Sequence, residues 1–171
     1  MVRIIGTLFL LAGSSGMAYS YCREQNERLK ILKSMREIFI RIKKEIEYLK
    51  SSIPEICLSL SEQNIIFSDV FAVIYQEMEL NNGCTFNEIW QHQFDEGLKK
   101  VPLIEKEKEM IKGFPDSLVY RDSEGQADGI DKYIDEAGKY IEDLANEIKS
   151  KNKVVLCMGM MAGMIAVVIL F

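Results

Sequence analysis

His92 is the single imidazole of this 171-residue chain, and Glu88 and Glu96 stand four residues to either side. On one helix face that spacing could hold a metal ion, or set a carboxylate beside an imidazole for general-base work. No Cys or Ser nucleophile accompanies it, so the group reads as polar surface. Asp122-Ser123-Glu124-Gly125-Gln126-Ala127-Asp128 has the acidic spacing of a calcium loop. Ala127 and Tyr133, however, occupy the positions where such a loop needs Gly and Glu. The stretch reads instead as a connection between helices, in which Asp122 and Gln126 bond backbone donors or form a docking turn. Glu105, Glu107 and Glu109 alternate with Lys106 and Lys108, the pattern of a solvated helix face. The chain has no phosphate loop, dinucleotide fingerprint or nucleophile elbow. The residues therefore point away from an enzyme: no catalytic residue, metal, cofactor or small-molecule substrate is expected.

The charges are laid out unevenly. Ile4–Tyr21 and Val154–Phe171 are runs of 18 residues without a charge. As helices each would be about 27 Å long, near the lower limit for crossing a bilayer core. Residues 1–21 and 154–171 are expected to be transmembrane anchors around a body at 22–153. That body holds all 26 acids and 20 of the 21 bases, a formal charge of −6. Such a surface suits neither nucleic acid nor anionic lipid. Ala18-Tyr19-Ser20 has the form of a signal-peptide cleavage site, but the helical pattern passes through it unbroken, so an uncleaved anchor is expected. Arg23, Arg28, Lys30, Lys33, Arg36 and Arg41 follow the first run, and Lys149, Lys151 and Lys153 precede the second. The positive-inside rule places the body in the cytoplasm and both termini outside.

Gly159 and Gly163 make a small-x-x-x-small face in the second run, which permits close helix packing in lipid. Gly6, Gly13 and Gly16 offer a partner face in the first. The four cysteines have no metal spacing and are expected to be reduced and buried.

The elements that must carry these residues are all helical. Leu32, Met35, Phe39, Ile42, Ile46 and Leu49 recur at three- and four-residue steps, which predicts a helix over Tyr21–Lys50, continuous with the first run. Ser52 and Pro54 open a short second helix to about Gln63. A third starts near Ser68 with Phe67 on its face and stops at Asn81-Asn82-Gly83. Thr85-x-x-Glu88 is a capping box opening a fourth, to about Lys100, lined by Phe86, Ile89, Trp90 and Phe94. A fifth begins at Pro102 and kinks or splits at Phe114-Pro115. After a polar turn over Arg121–Gly129, a sixth runs from about Ile130 into the second anchor. The expected fold is all-α: a bundle of about six amphipathic helices flanked by transmembrane helices.

Several local patterns occur together in order. Glu45-Ile46-x-Tyr48 precedes Pro54; Trp90 precedes Leu98-Lys99-Lys100-Val101; Phe114, Leu118, Asp122 and Gln126 follow at four-residue steps; Gly159 and Gly163 close the series. With the two-anchor layout, this resembles the stage III sporulation protein AB family over the whole chain. Val119 stands where that family often has Gly, and residues 49–53 lack its Gly-containing turn. The resemblance implies a body similar to a cytoplasmic domain of the type II secretion platform protein. It implies membership of the channel complex between mother cell and forespore, on the mother-cell side. It also implies two kinds of partner, a cytoplasmic secretion-type ATPase homologue and other membrane subunits. Trp90, Asp122 and Gln126 become candidate interaction residues, and Gly159 and Gly163 candidate packing residues. The alternative is a membrane-anchored signalling bundle, a role that calls for a larger outer region than these runs provide.

Overall fold

The structure is a computed structural model. It describes residues 2–80, 83–118 and 123–170, and only the backbone at 2–5, 7–11, 14, 123–128, 160, 166–167 and 169–170. Among the described residues six α-helices follow one another: α1 (Val2–Lys44), α2 (Ile53–Ser61), α3 (Ser68–Glu79), α4 (Phe86–Gly97), α5 (Glu105–Lys112) and α6 (Ser123–Leu170). Short 3₁₀ turns at Leu98–Lys100 and Phe114–Leu118 link them, and no strand occurs among the described residues. Among the described residues, no helix is long and apolar enough to cross a membrane.

The chain divides into a unit of residues 1–29 and 142–171 and a unit of residues 30–141. The second holds the main core. Leu32, Met35, Phe39 and Ile42 of α1 are buried at the spacing read from the sequence. Ile46 and Leu49 depart from that face, and Leu49 is 69% exposed. The cause is a π turn over Glu45–Leu49, whose wider winding shifts the register of the residues it carries. Lys50, at φ 55, then ends the helix.

Local chemistry sets the next boundaries. The Ser52 N–H donates to Glu55 Oε2 at 2.8 Å, and Pro54 lies in the first turn of α2. The Thr85 N–H donates to Glu88 Oε2 at 2.7 Å, and Thr85 Oγ1 accepts from the Glu88 N–H at 3.3 Å. Phe67 is not on the face of α3 but caps it, with a left-handed φ of 65°, and turns its ring edge to Phe94. Pro102, Leu103 and Ile104 precede α5 instead of lying in it. The polar stretch at 123–129 is not a turn, because α6 already begins at Ser123. Two glycines cost a helix only about 1 kcal/mol each, and the fully buried Ile130 anchors the turns that follow.

Eight aromatic rings run through this core. Trp90 contacts Phe71, Phe86, Phe94 and Phe114. Phe114 stacks on Phe39 at 4.2 Å and meets Tyr133 edge-on at 5.7 Å. Gly97 lets α4 approach α3 closely, since a Cβ there would sit 2.9 Å from Val70 Cγ2. Valine is stiff at this bond and cannot swing aside. Gly97→Ala is therefore expected to lower stability by about 1–2 kcal/mol despite better helix propensity. Urea unfolding of the variant checks this; an unchanged or raised midpoint would show that the helices simply separate.

In the unit of residues 1–29 and 142–171, Ala18 and Cys22 of α1 and Leu144 and Ile148 of α6 are buried. Cys22 Sγ lies 3.9 Å from the Asn152 carbonyl oxygen. An added Cβ at Gly6, Gly13 or Gly16 would meet nothing within 4 Å. The cysteines are all free, but Cys84 and Cys157 are exposed, not buried.

Candidate docking surface

Helices α4 and α5 present their polar faces side by side, because their apolar faces carry Ile89, Trp90, Phe94 and Ile111 into the core. A surface cleft of about 340 Å³ lies there, lined by Gln91, His92, Asp95 and Glu96 of α4, Glu109 and Lys112 of α5, and Gly113 and Asp116. Lys112 bridges the helices, 2.7 Å from Glu109 and 3.2 Å from Asp95. Its hydrogen bond and charge hold the Asp95 carboxyl below the ordinary range, and the two acids raise the Lys112 ammonium in turn. Asn87 Nδ2 donates to Asp116 Oδ1 at 2.8 Å, tying α4 to the following 3₁₀ turn.

His92 is exposed on this face, its Nδ1 3.2 Å from Gln93 Nε2. Its sequence neighbours are engaged elsewhere, Glu88 in the cap of α4 and Glu96 with Lys99. Among the described residues, no group of three His, Cys, Asp or Glu side chains could hold a metal ion.

Trp90 is not a surface residue. It is fully buried, and its Nε1–H donates to the Ile111 carbonyl at 3.1 Å. A side chain without accessible area touches no partner, so any docking at this helix belongs to its outer face. Asp122 lies outside the described residues. Gln126 falls within the first turns of α6, not in a loop. Gly159 and Gly163 are both on α6, where Gly163 is buried and Gly159 half-buried.

Glu107 corrects the reading of the charge run as solvated. It is 0% exposed, with Oε2 accepting from the Ile104 N–H at 3.1 Å and Oε1 from the Tyr140 hydroxyl at 3.0 Å. It thus caps α5 and links it to α6. The signal lay in the four-residue spacing of Glu107 and Ile111, which puts both on one buried face of α5. Lys106 crosses the Tyr140 ring 4.9 Å from its centroid. A second cleft, about 310 Å³, opens between α5 and α6 around Lys106, Met110, Tyr133, Glu136, Ala137 and Tyr140. The Tyr133 hydroxyl is buried without a hydrogen-bond partner among the described residues, and burial, reinforced by the Asp116 carboxylate, raises its pKa.

Together these features define an all-α protein with a packed aromatic core and a charged face between two short helices. The chain belongs to the stage III sporulation protein AB family, whose model matches residues 3–171, and it is accordingly a sporulation-related protein. No curated protein and no solved structure matches it.

Proposed function

We propose that the chain is a non-enzymatic membrane platform subunit of the sporulation channel between mother cell and forespore. In this reading it couples a cytoplasmic secretion-type ATPase homologue to membrane partners. The observation that carries the reading is the pair of charge-free runs, each lying on a long helix that also contributes to the body. Met158, Met161, Met164, Ile165 and Val168 stand exposed along the second run. Bare apolar side chains over a stretch without charges call for lipid or protein around them. Residues 1–21 and 154–171 then act as anchors, and the bases beside them keep the body in the cytoplasm with both termini outside. Two anchors resist rotation and lift, so force applied to the body reaches the membrane helices. The charged face of α4 and α5 is the docking surface for the motor. Co-purification tests this: Glu96→Lys with Glu109→Lys should lose the ATPase homologue at normal protein level. Full recovery of that partner by the double variant would move the docking site elsewhere.

The topology is tested by a thiol label. Cys84 is exposed, whereas Cys57 is buried and its thiol is pushed up to about 12 by that burial, so Cys57 stays a protonated, unreactive thiol at neutral pH. In vegetative cells expressing a Cys157→Ser chain, a membrane-impermeant maleimide should reach Cys84 only after permeabilisation. Labelling of Cys84 in intact cells would reverse the orientation.

A further inference from the structure

Gly138 sits inside α6, far from either end, where glycine is the poorest helix former after proline. The structure gives a reason for it. A Cβ at this position would lie 2.9 Å from Arg36 Nε, 3.3 Å from Cζ and 3.2 Å from Nη2. The Arg36 guanidinium thus occupies the space a side chain would fill, and its Nε–H donates to the Ile134 carbonyl at 3.3 Å. One heptad further along α1, Lys43 pairs with Asp131 of α6 and with Glu47. Arg36 and Lys43 therefore grip the same stretch of α6 from one face of α1, and these are the two helices that carry the charge-free runs.

We infer that Arg36 seated on Gly138 is a clamp that locks α1 to α6 against sliding and rolling, so that the body drives both helices as one lever. This rests on the platform reading and adds a device to it. A planar cation fixed to a backbone carbonyl and held in a side-chain-sized seat gives one register.

The test separates the clamp from mere packing. Gly138→Ala should displace the guanidinium, the flexible end of its side chain, from the seat, and Arg36→Met should leave the seat empty. Each alone is expected to cut heat-resistant spore yield at least tenfold in a sporulating host whose own copy is replaced. The Arg36→Met, Gly138→Ala double variant refills the seat with a methyl group and restores helix propensity. Its thermal unfolding midpoint should return to that of the parent or above, while spore yield stays low. A double variant that regains both stability and spore yield would overturn the clamp, because the pair would then be packing only. Parental spore yield from Gly138→Ala alone would also overturn it, by showing that the seat is not needed. Co-purification of the ATPase homologue keeps the two proposals apart: in the single variants, retained binding with lost spores supports the clamp and retained binding with parental spore yield overturns it, whereas a parent chain that recovers no ATPase homologue overturns the platform reading.

Discussion

Trp90→Ala is expected to lower the unfolding free energy of the protein by about 3–5 kcal/mol. The indole is fully buried at the meeting point of four other rings, from Phe71 of α3, Phe86 and Phe94 of α4, and Phe114. Removing it opens a cavity that these large, stiff neighbours cannot refill. It also strips the Ile111 carbonyl of its indole donor, so that α5 loses a tie to α4. Trp90→Phe separates the two effects: it keeps most of the ring contact but not the donor, and should cost about 1–3 kcal/mol. Urea denaturation followed by far-UV circular dichroism reads both variants. A loss below about 1 kcal/mol for Trp90→Ala would mean that the aromatic core is not what holds the body together. A near-parental melt with lost partner binding would return Trp90 to the role of an interaction residue.

Glu107→Ala should be the second most damaging change. Glu107 accepts from the N–H of Ile104, the residue that caps α5, and from the Tyr140 hydroxyl, in a position without solvent access. Truncation leaves both donors without this acceptor, at about 1–3 kcal/mol for each one that stays buried. Glu107→Gln retains one acceptor oxygen and nearly the same volume, so its loss should be clearly smaller. The order Ala worse than Gln is the diagnostic. Equal losses would mean that volume matters and the hydrogen bonds do not. No loss for either would mean that α5 hydrates its N-terminus and can lift away from α6.

The helices themselves were legible because their causes are local. Ser52 with Glu55, Thr85 with Glu88, and the three- and four-residue recurrence of Leu32, Met35, Phe39 and Ile42 act within one or two turns of chain. The start of α6 was misplaced because glycine and polar residues describe a preference of only about 1 kcal/mol each, which packing at Ile130 outweighs. Leu49 was misassigned for a related reason: a π turn leaves no mark in hydrophobic periodicity, yet it moves every side chain it carries.

The candidate site was less legible. Trp90 was recognised as special, but whether a tryptophan is a core hub or a contact depends on what surrounds it, and Phe71 and Phe114 come from other elements of the chain. Glu107 looked like one more member of a solvated run until Tyr140, 33 residues away, supplied its donor. Gly138 carries no mark in the local sequence; Arg36, from 102 positions earlier in the chain, occupies the place of its missing side chain. The sequence by itself determined the all-helical class, most helix ends, the two charge-free runs and the family. These follow from periodicity, capping and charge, which are properties of neighbours along the chain. Only the tertiary structure decided which polar side chains are buried, which glycine is a seat and which aromatic is a hub. Those depend on long-range pairing, where the cost of burying an acid or leaving out a side chain is offset by a partner that no local pattern specifies.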